Sequence, residues 1–272
     1  MQEISDMEMI GNNFILGLVG EVSTLVSKGS RRSLLKHQAS VTKLLDMIDM
    51  VRQHRSLTHQ FLFNHQQEVV EKIAALDEEM TKAITKLASD RYVGNSIERI
   101  ALKNKLSQLT SSYKNRSISN NLVVHGKVIR QLIFQVDSQI LISLDKADKL
   151  ELAGEYNDQW QAVMSGIEAL TQYRLGIMAM NMNLKPALLA KQANVLYSRL
   201  VKVSDVYSDY HPDLNECMTQ LEQYLTEHKH TEEYQAKLFD LSSETSATLV
   251  DVYEAIIEKT FAKAINGGYS AE

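Results

Sequence analysis

The chain is short of the residues that interrupt helices and of those that staple small folds. It has one cysteine, two prolines and eleven glycines in 272 residues. A single thiol, Cys217, excludes any intrachain disulfide and most cysteine metal sites. Glu216 stands beside it, and a neighbouring carboxylate raises a thiol's pKa, so Cys217 is a poor nucleophile candidate. Scarce proline and glycine, with no long β-branched alternation, favour long helices. No basic block marks a nucleic-acid surface and no acidic tail marks a basic partner; the net charge is -5 with both signs interspersed. The most apolar N-terminal stretch, Met9 to Val26, is interrupted by Asn12, Asn13 and Glu21 and falls short of the ~20 residues that span a bilayer. Glu3, Asp6 and Glu8 precede it where a signal peptide has basic residues. The expected location is cytoplasmic, with no membrane span.

A hydrophobic content of 44% suits a globular chain with a sizeable core. The predicted fold class is all-α, with eight or nine long helices in two packed four-helix-bundle-like halves, about 1–116 and 117–272, forming one unit with no further domain expected. A first helix is predicted over Asp6–Ser27, ending at Gly29 as a C′ residue, with Ser30 capping a second helix to about Phe63. A third, near 66–87, carries the stripe Val69, Ile73, Leu76, Met80, Ile84 and Leu87. Gly94-Asn95-Ser96 turns into a fourth helix with Ile100, Leu102 and Leu106 inward. Further helices are expected over 121–152, after a break at Gly154 to Asp158 over 159–182, from Pro186, over 214–228 and over 231–265.

Most chemistry is absent from the sequence. There is no Gly-x-Ser-x-Gly, phosphate loop or dinucleotide fingerprint, so neither an enzyme nor a cofactor is expected. Metal sites in bundles need two Glu-x-x-His pairs, and the chain has one, Glu227 to His230. His54, His59 and His65 do not share one helical face and are read as surface or satisfied side chains.

Two arginines stand out. In LLDMIDMVRQHRSLTHQFL, Leu44, Ile48 and Val51 share a face, and Arg55 continues it. About 119 residues on, SGIEALTQYRLGIMAM repeats the pattern, with Arg174 on the stripe Trp160, Met164, Ile167, Leu170, Ile177 and Met178. Each arginine ends a Gln-x-Arg. A guanidinium is seldom buried without an anionic partner. Two forks of N–H donors could clamp one small planar oxyanion, with Gln53, Gln172, Thr58 and His59 as neutral donors or acceptors. The alternative is an interaction or scaffold protein in which each arginine pairs with its own carboxylate.

At these residues the sequence resembles the NIT family of bacterial nitrate- and nitrite-sensing domains. QHRSLTHQFL is similar to the first arginine motif of that family and QYRLGIMAM to the second, with Arg55 and Arg174 on the arginines. His54 and Tyr173 stand where the family often has glutamate, and Ser56 and Leu175 where it often has glycine. The resemblance implies two four-helix bundles, nitrate or nitrite held between the arginines, and movement passed along the C-terminal helix from Ser242 to a protein partner. Leftover apolar faces on long helices leave homodimerisation open as a further expectation.

Overall fold

A computed structural model describes the backbone over 2–64, 68–179, 186–207, 212–227 and 232–266, and side chains from 29 onward within most of these stretches. Among the described residues there are eight α-helices and no strand: α1 (Gln2–Asn64), α2 (Val69–Ser89), α3 (Ser96–Ser111), α4 (Ile118–Lys146), α5 (Ala153–Ala179), α6 (Pro186–Val206), α7 (Pro212–Glu227) and α8 (Glu232–Asn266). The all-α expectation holds. No helix among the described residues is long and apolar enough to cross a membrane.

The helix boundaries differ from expectation at two glycines. Gly29 does not end a helix; α1 runs through it. Its φ is not positive and a Cβ placed there would meet nothing, so only the helix-propensity cost of about 1 kcal/mol is incurred. Gly154 likewise lies inside the first turn of α5. The actual break comes earlier, at Asp148, with φ 55°. Lys149 N–H donates to the Leu144 carbonyl at 2.9 Å and Asp148 N–H to Asp145 at 3.0 Å, a Schellman ending with aspartate where glycine is usual. The residues 180–182, 228 and 231, at expected helix ends, lie outside the described backbone.

Where periodicity was regular, burial follows it. All six stripe residues of α2 are buried. In α3 the inward face is Leu102, Leu106 and Leu109, and Ile100, out of phase with them, is 60% exposed. The start of α3 is set by Asn95 and Glu98, which form a reciprocal capping box.

α1 packs on α4 and α2, α2 on α3, α5 on α6 and α8, and α7 on α6 and α8; α1 also meets α8, and α4 meets α5. One continuous apolar cluster, from Leu34 to Ala264, runs through all of these contacts. The 116/117 division lies just before α4, whose main packing partner is α1. The α1–α8 and α1–α4 contacts set α1 against helices from far along the chain, and Arg55 sits on the C-terminal part of α1 that meets them.

Candidate functional site

Arg55 and Arg174 both face inward, 7% and 5% exposed. The stripe that carries Arg55 puts Leu44, Ile48 and Val51 in the core, and the turn after Val51 has no other direction to point. On α5, Met164, Leu170 and Ile177 do the same for Arg174, with Trp160, Ile167 and Met178 half-buried beside them.

α8 receives both side chains. Arg174 donates through Nε to Ser242 Oγ at 3.0 Å and through Nη2 to the Ser242 carbonyl at 2.5 Å. Ser242 spends its own hydroxyl proton on the Phe239 carbonyl at 2.7 Å, which leaves Oγ an acceptor for the guanidinium. One turn on, Ser246 Oγ accepts from Arg55 Nη2 at 3.3 Å. These acceptors are neutral, and among the described residues neither guanidinium has a carboxylate at ion-pair distance. The expectation of a carboxylate at each arginine, which belongs to the scaffold reading, is not met by the described residues.

The electrostatics follow. Arg55 is pushed down to about 9 by burial, with the charge of Arg52 adding to it. Arg174 is pushed well below the ordinary guanidinium value by burial first, then by the charges of Arg55 and Arg52. A guanidinium does not surrender its proton near neutral pH. These shifts therefore measure the cost of holding two like charges in a dry place. Arg52 differs, since its Nη1 lies 3.0 Å from Asp49 Oδ1 and the charges of Asp251 and Glu254 also support it.

His59, one turn past Arg55, is 6% exposed and stacks on Phe239 with ring centroids 3.7 Å apart. Burial, then the charges of Arg174 and Arg55, push it down to about 4. The acceptors of the two arginines, Ser242 and Ser246, lie one turn apart on α8, which places the two guanidiniums in one neighbourhood. His59 Nδ1 and Gln235 Oε1 are buried and have no hydrogen-bond partner among the described residues. Gln235 cannot rotate to hide its oxygen, because its Nε2 donates to the Ile177 carbonyl at 2.8 Å. Beyond the His59–Phe239 stack lies a cavity of about 260 Å³, bordered by His59, Phe63, Ile177, Gln235, Phe239 and Asp240. It lies one turn C-terminal of both arginines and one turn N-terminal of Ser242.

The other expected site residues are placed differently. Thr58 is fully buried, but its hydroxyl donates to the His54 carbonyl at 2.6 Å and accepts from Asn121 Nδ2 at 2.9 Å. Gln53 is exposed and donates to Asp49 at 2.7 Å. Gln172 is exposed, on a groove between α4, α5 and α6. So the structure brings Arg55, Arg174 and His59 together and leaves the two glutamines on outer faces.

Of the histidines read as surface or satisfied, His54 and His59 are buried, with His54 Nδ1 2.8 Å from His125 Nε2, and His65 lies outside the described residues. His230 of the lone Glu-x-x-His also lies outside them, and among the described residues no group of His, Cys, Asp or Glu could hold a metal ion. Cys217 is pushed up as expected, but burial is the main cause, with Glu244 and Asp213 adding to it. Sequence reasoning missed Ser242 and Ser246 as the arginines' partners. Their signal was a helix whose buried face carries Gln235, Ser242, Thr245 and Ser246 among leucines. Comparison of the chain with family models, with curated proteins and with solved structures finds no match.

Proposed function

We propose that this chain is a small-oxyanion sensor, a regulatory domain of bacterial signal transduction whose ligand is nitrate or nitrite clamped between Arg55 and Arg174. The observation that carries this reading is the pair of buried guanidiniums that share a neighbourhood and, among the described residues, meet neutral oxygens and no carboxylate. Buried charges are normally paired. An anion between these two removes their repulsion and supplies the missing counter-charge. The resemblance of the two arginine motifs to the NIT family supports the choice of a planar monoanion.

The same contacts suggest how binding becomes a signal. Without ligand Nε and Nη2 of Arg174 donate to Ser242 of α8 and Nη2 of Arg55 to Ser246. An anion competes for those donors, so binding loosens α8 from α1 and α5. A shift from mostly off to mostly on needs about 5 kcal/mol of differential affinity. Two charge-assisted contacts at roughly 1.5–3 kcal/mol each are of that size. α8 extends a further five turns to Asn266 and carries the displacement toward a protein partner.

Calorimetric titration of the full chain with nitrate and with nitrite tests the reading. Saturable binding that Arg55→Met and Arg174→Met each abolish is the expected result. Absence of heat at millimolar anion, with the protein folded, rejects it in favour of a helical interaction protein with structural arginines.

A further inference from the structure

Beside Arg55 runs a buried chain of hydrogen bonds that the clamp does not use. His54 is 0% exposed, and its Nδ1 lies 2.8 Å from His125 Nε2. His125 Nδ1 lies 2.7 Å from the Asn121 carbonyl oxygen. On its other side His54 Nε2 lies 3.1 Å from Asp77 Oδ1, an ion-pair distance, and among the described residues neither atom has a hydrogen-bond partner. The chain joins α2, α1 and α4. Tyr113 sets its ring on edge against His54, and the charges of Arg55 and Arg116 reach His125.

Donor rules fix most of the protons. A carbonyl only accepts, so His125 Nδ1 carries a hydrogen. His125 is kept neutral, pushed well below the usual imidazole value by burial first and then by the charges of His54, Arg55 and Arg116. Its Nε2 is therefore a bare lone pair, and His54 Nδ1 must donate to it. If His54 carried no second proton, its Nε2 lone pair would face a carboxylate oxygen at 3.1 Å with no donor between them. The opposite tautomers fail as well, because they set a His125 lone pair against a carbonyl oxygen. One added proton resolves the conflict.

We propose that Asp77 and His54 form a proton-binding site coupled to the arginine clamp, so that the oxyanion is bound together with one proton. The proton lies between His54 Nε2 and Asp77 Oδ1, as imidazolium with carboxylate or as imidazole with carboxylic acid. The proton site stands on the two histidine hydrogen bonds and the close His54–Asp77 approach; its coupling to the anion rests on the clamp reading. Two contacts transmit it. His54 and Arg55 are adjacent on α1, and Thr58 and Asn121 tie the His54 carbonyl to α4 across the same turn. Loss of the proton removes a positive charge from the neighbourhood of Arg55, so anion affinity falls as pH rises. Linkage is reciprocal, so a bound anion makes the proton harder to remove.

The test uses the full chain labelled with ¹⁵N in histidine and ¹³C in aspartate carboxyls. At pH about 7.5, above the ordinary imidazole value, His54 is expected to show both ring nitrogens protonated, or Asp77 a protonated carboxyl. His125 is expected to show the Nδ1–H tautomer. Asp77→Asn, whose amide can donate to Nε2, is expected to leave His54 neutral. A neutral His54 beside an ionised Asp77 in the wild type overturns the proton site. Nitrate affinity is then followed from pH about 6.5 to 9. One coupled proton weakens it by at most about tenfold per pH unit in the wild type, and the dependence is lost in Asp77→Asn. A pH-independent affinity in the wild type overturns the coupling. Failure of nitrate to bind at any pH overturns the clamp, while the His54 and Asp77 resonances still judge the proton site.

Discussion

Arg174→Met separates a strained receptor from a structural arginine, because the two make opposite demands on stability. Methionine keeps the unbranched apolar stem of the side chain and removes the charge. The loss is the pair of donations to Ser242, Nε to Oγ at 3.0 Å and Nη2 to the carbonyl at 2.5 Å. Hydrogen bonds from a charged group contribute roughly 1.5–3 kcal/mol each. Their removal strands little, because Ser242 Oγ still donates to Phe239. The gain is relief of a buried cation that no carboxylate among the described residues offsets. Desolvation costs several kcal/mol per ion, and exchanging even paired buried charges for apolar groups is often neutral or stabilising by about 1–4 kcal/mol. Here the neighbouring charge repels, so relief exceeds loss. The variant is expected to unfold at a higher temperature than the wild type in anion-free buffer. Each 1 kcal/mol raises Tm by about 2–4 °C in a chain of this size. In saturating nitrate the wild type should gain stability and the variant should not. Differential scanning calorimetry with and without 10 mM nitrate (about that concentration, to allow weak millimolar affinity) reads both. A variant destabilised by more than about 2 kcal/mol in anion-free buffer would refute the reasoning, since Arg174 would then be a net structural donor.

Further outcomes follow from the same contacts. His59 is held at about 4 against about 6.5 in an unfolded chain, so between those values the unfolded state binds more protons. Stability is therefore lost as pH falls from about 6.5 to 4, by roughly 3 kcal/mol in total. His59→Gln should flatten that part of a urea-unfolding series, and no change would show that His59 is not buried beside two cations. Gly94 has φ +109° and sits against the Glu98 and Gln135 side chains. Gly94→Ala should cost about 1–2 kcal/mol in the same assay, and a neutral result would reject that turn geometry. Gln53→Ala and Gln172→Ala lie on exposed faces, so each should leave nitrate affinity unchanged by calorimetry. A tenfold loss in either would return the glutamines to the site.

The amino-acid order by itself determined the class of fold and the faces of its helices. Scarce proline and glycine left nothing to interrupt helices, and the six-residue stripe of α2 is buried to the last member. The same periodicity turned Arg55 and Arg174 inward, since each sits on a stripe that only packing can satisfy. Helix ends were less legible. Gly29 lies within a continuous helix, and the true ending is made by backbone N–H groups of Asp148 and Lys149 donating to Asp145 and Leu144, in a left-handed turn that aspartate can occupy in place of the usual glycine. Only the tertiary structure decided what the guanidiniums meet. Ser242 and Ser246 are distant in sequence, and a hydroxyl gives no signal of whom it faces. Whether a buried arginine is paired depends on which carboxylates the packing brings within about 4 Å. Helix periodicity fixes the direction of a side chain, but the identity of its neighbour is set by how helices far apart in the chain come to lie together.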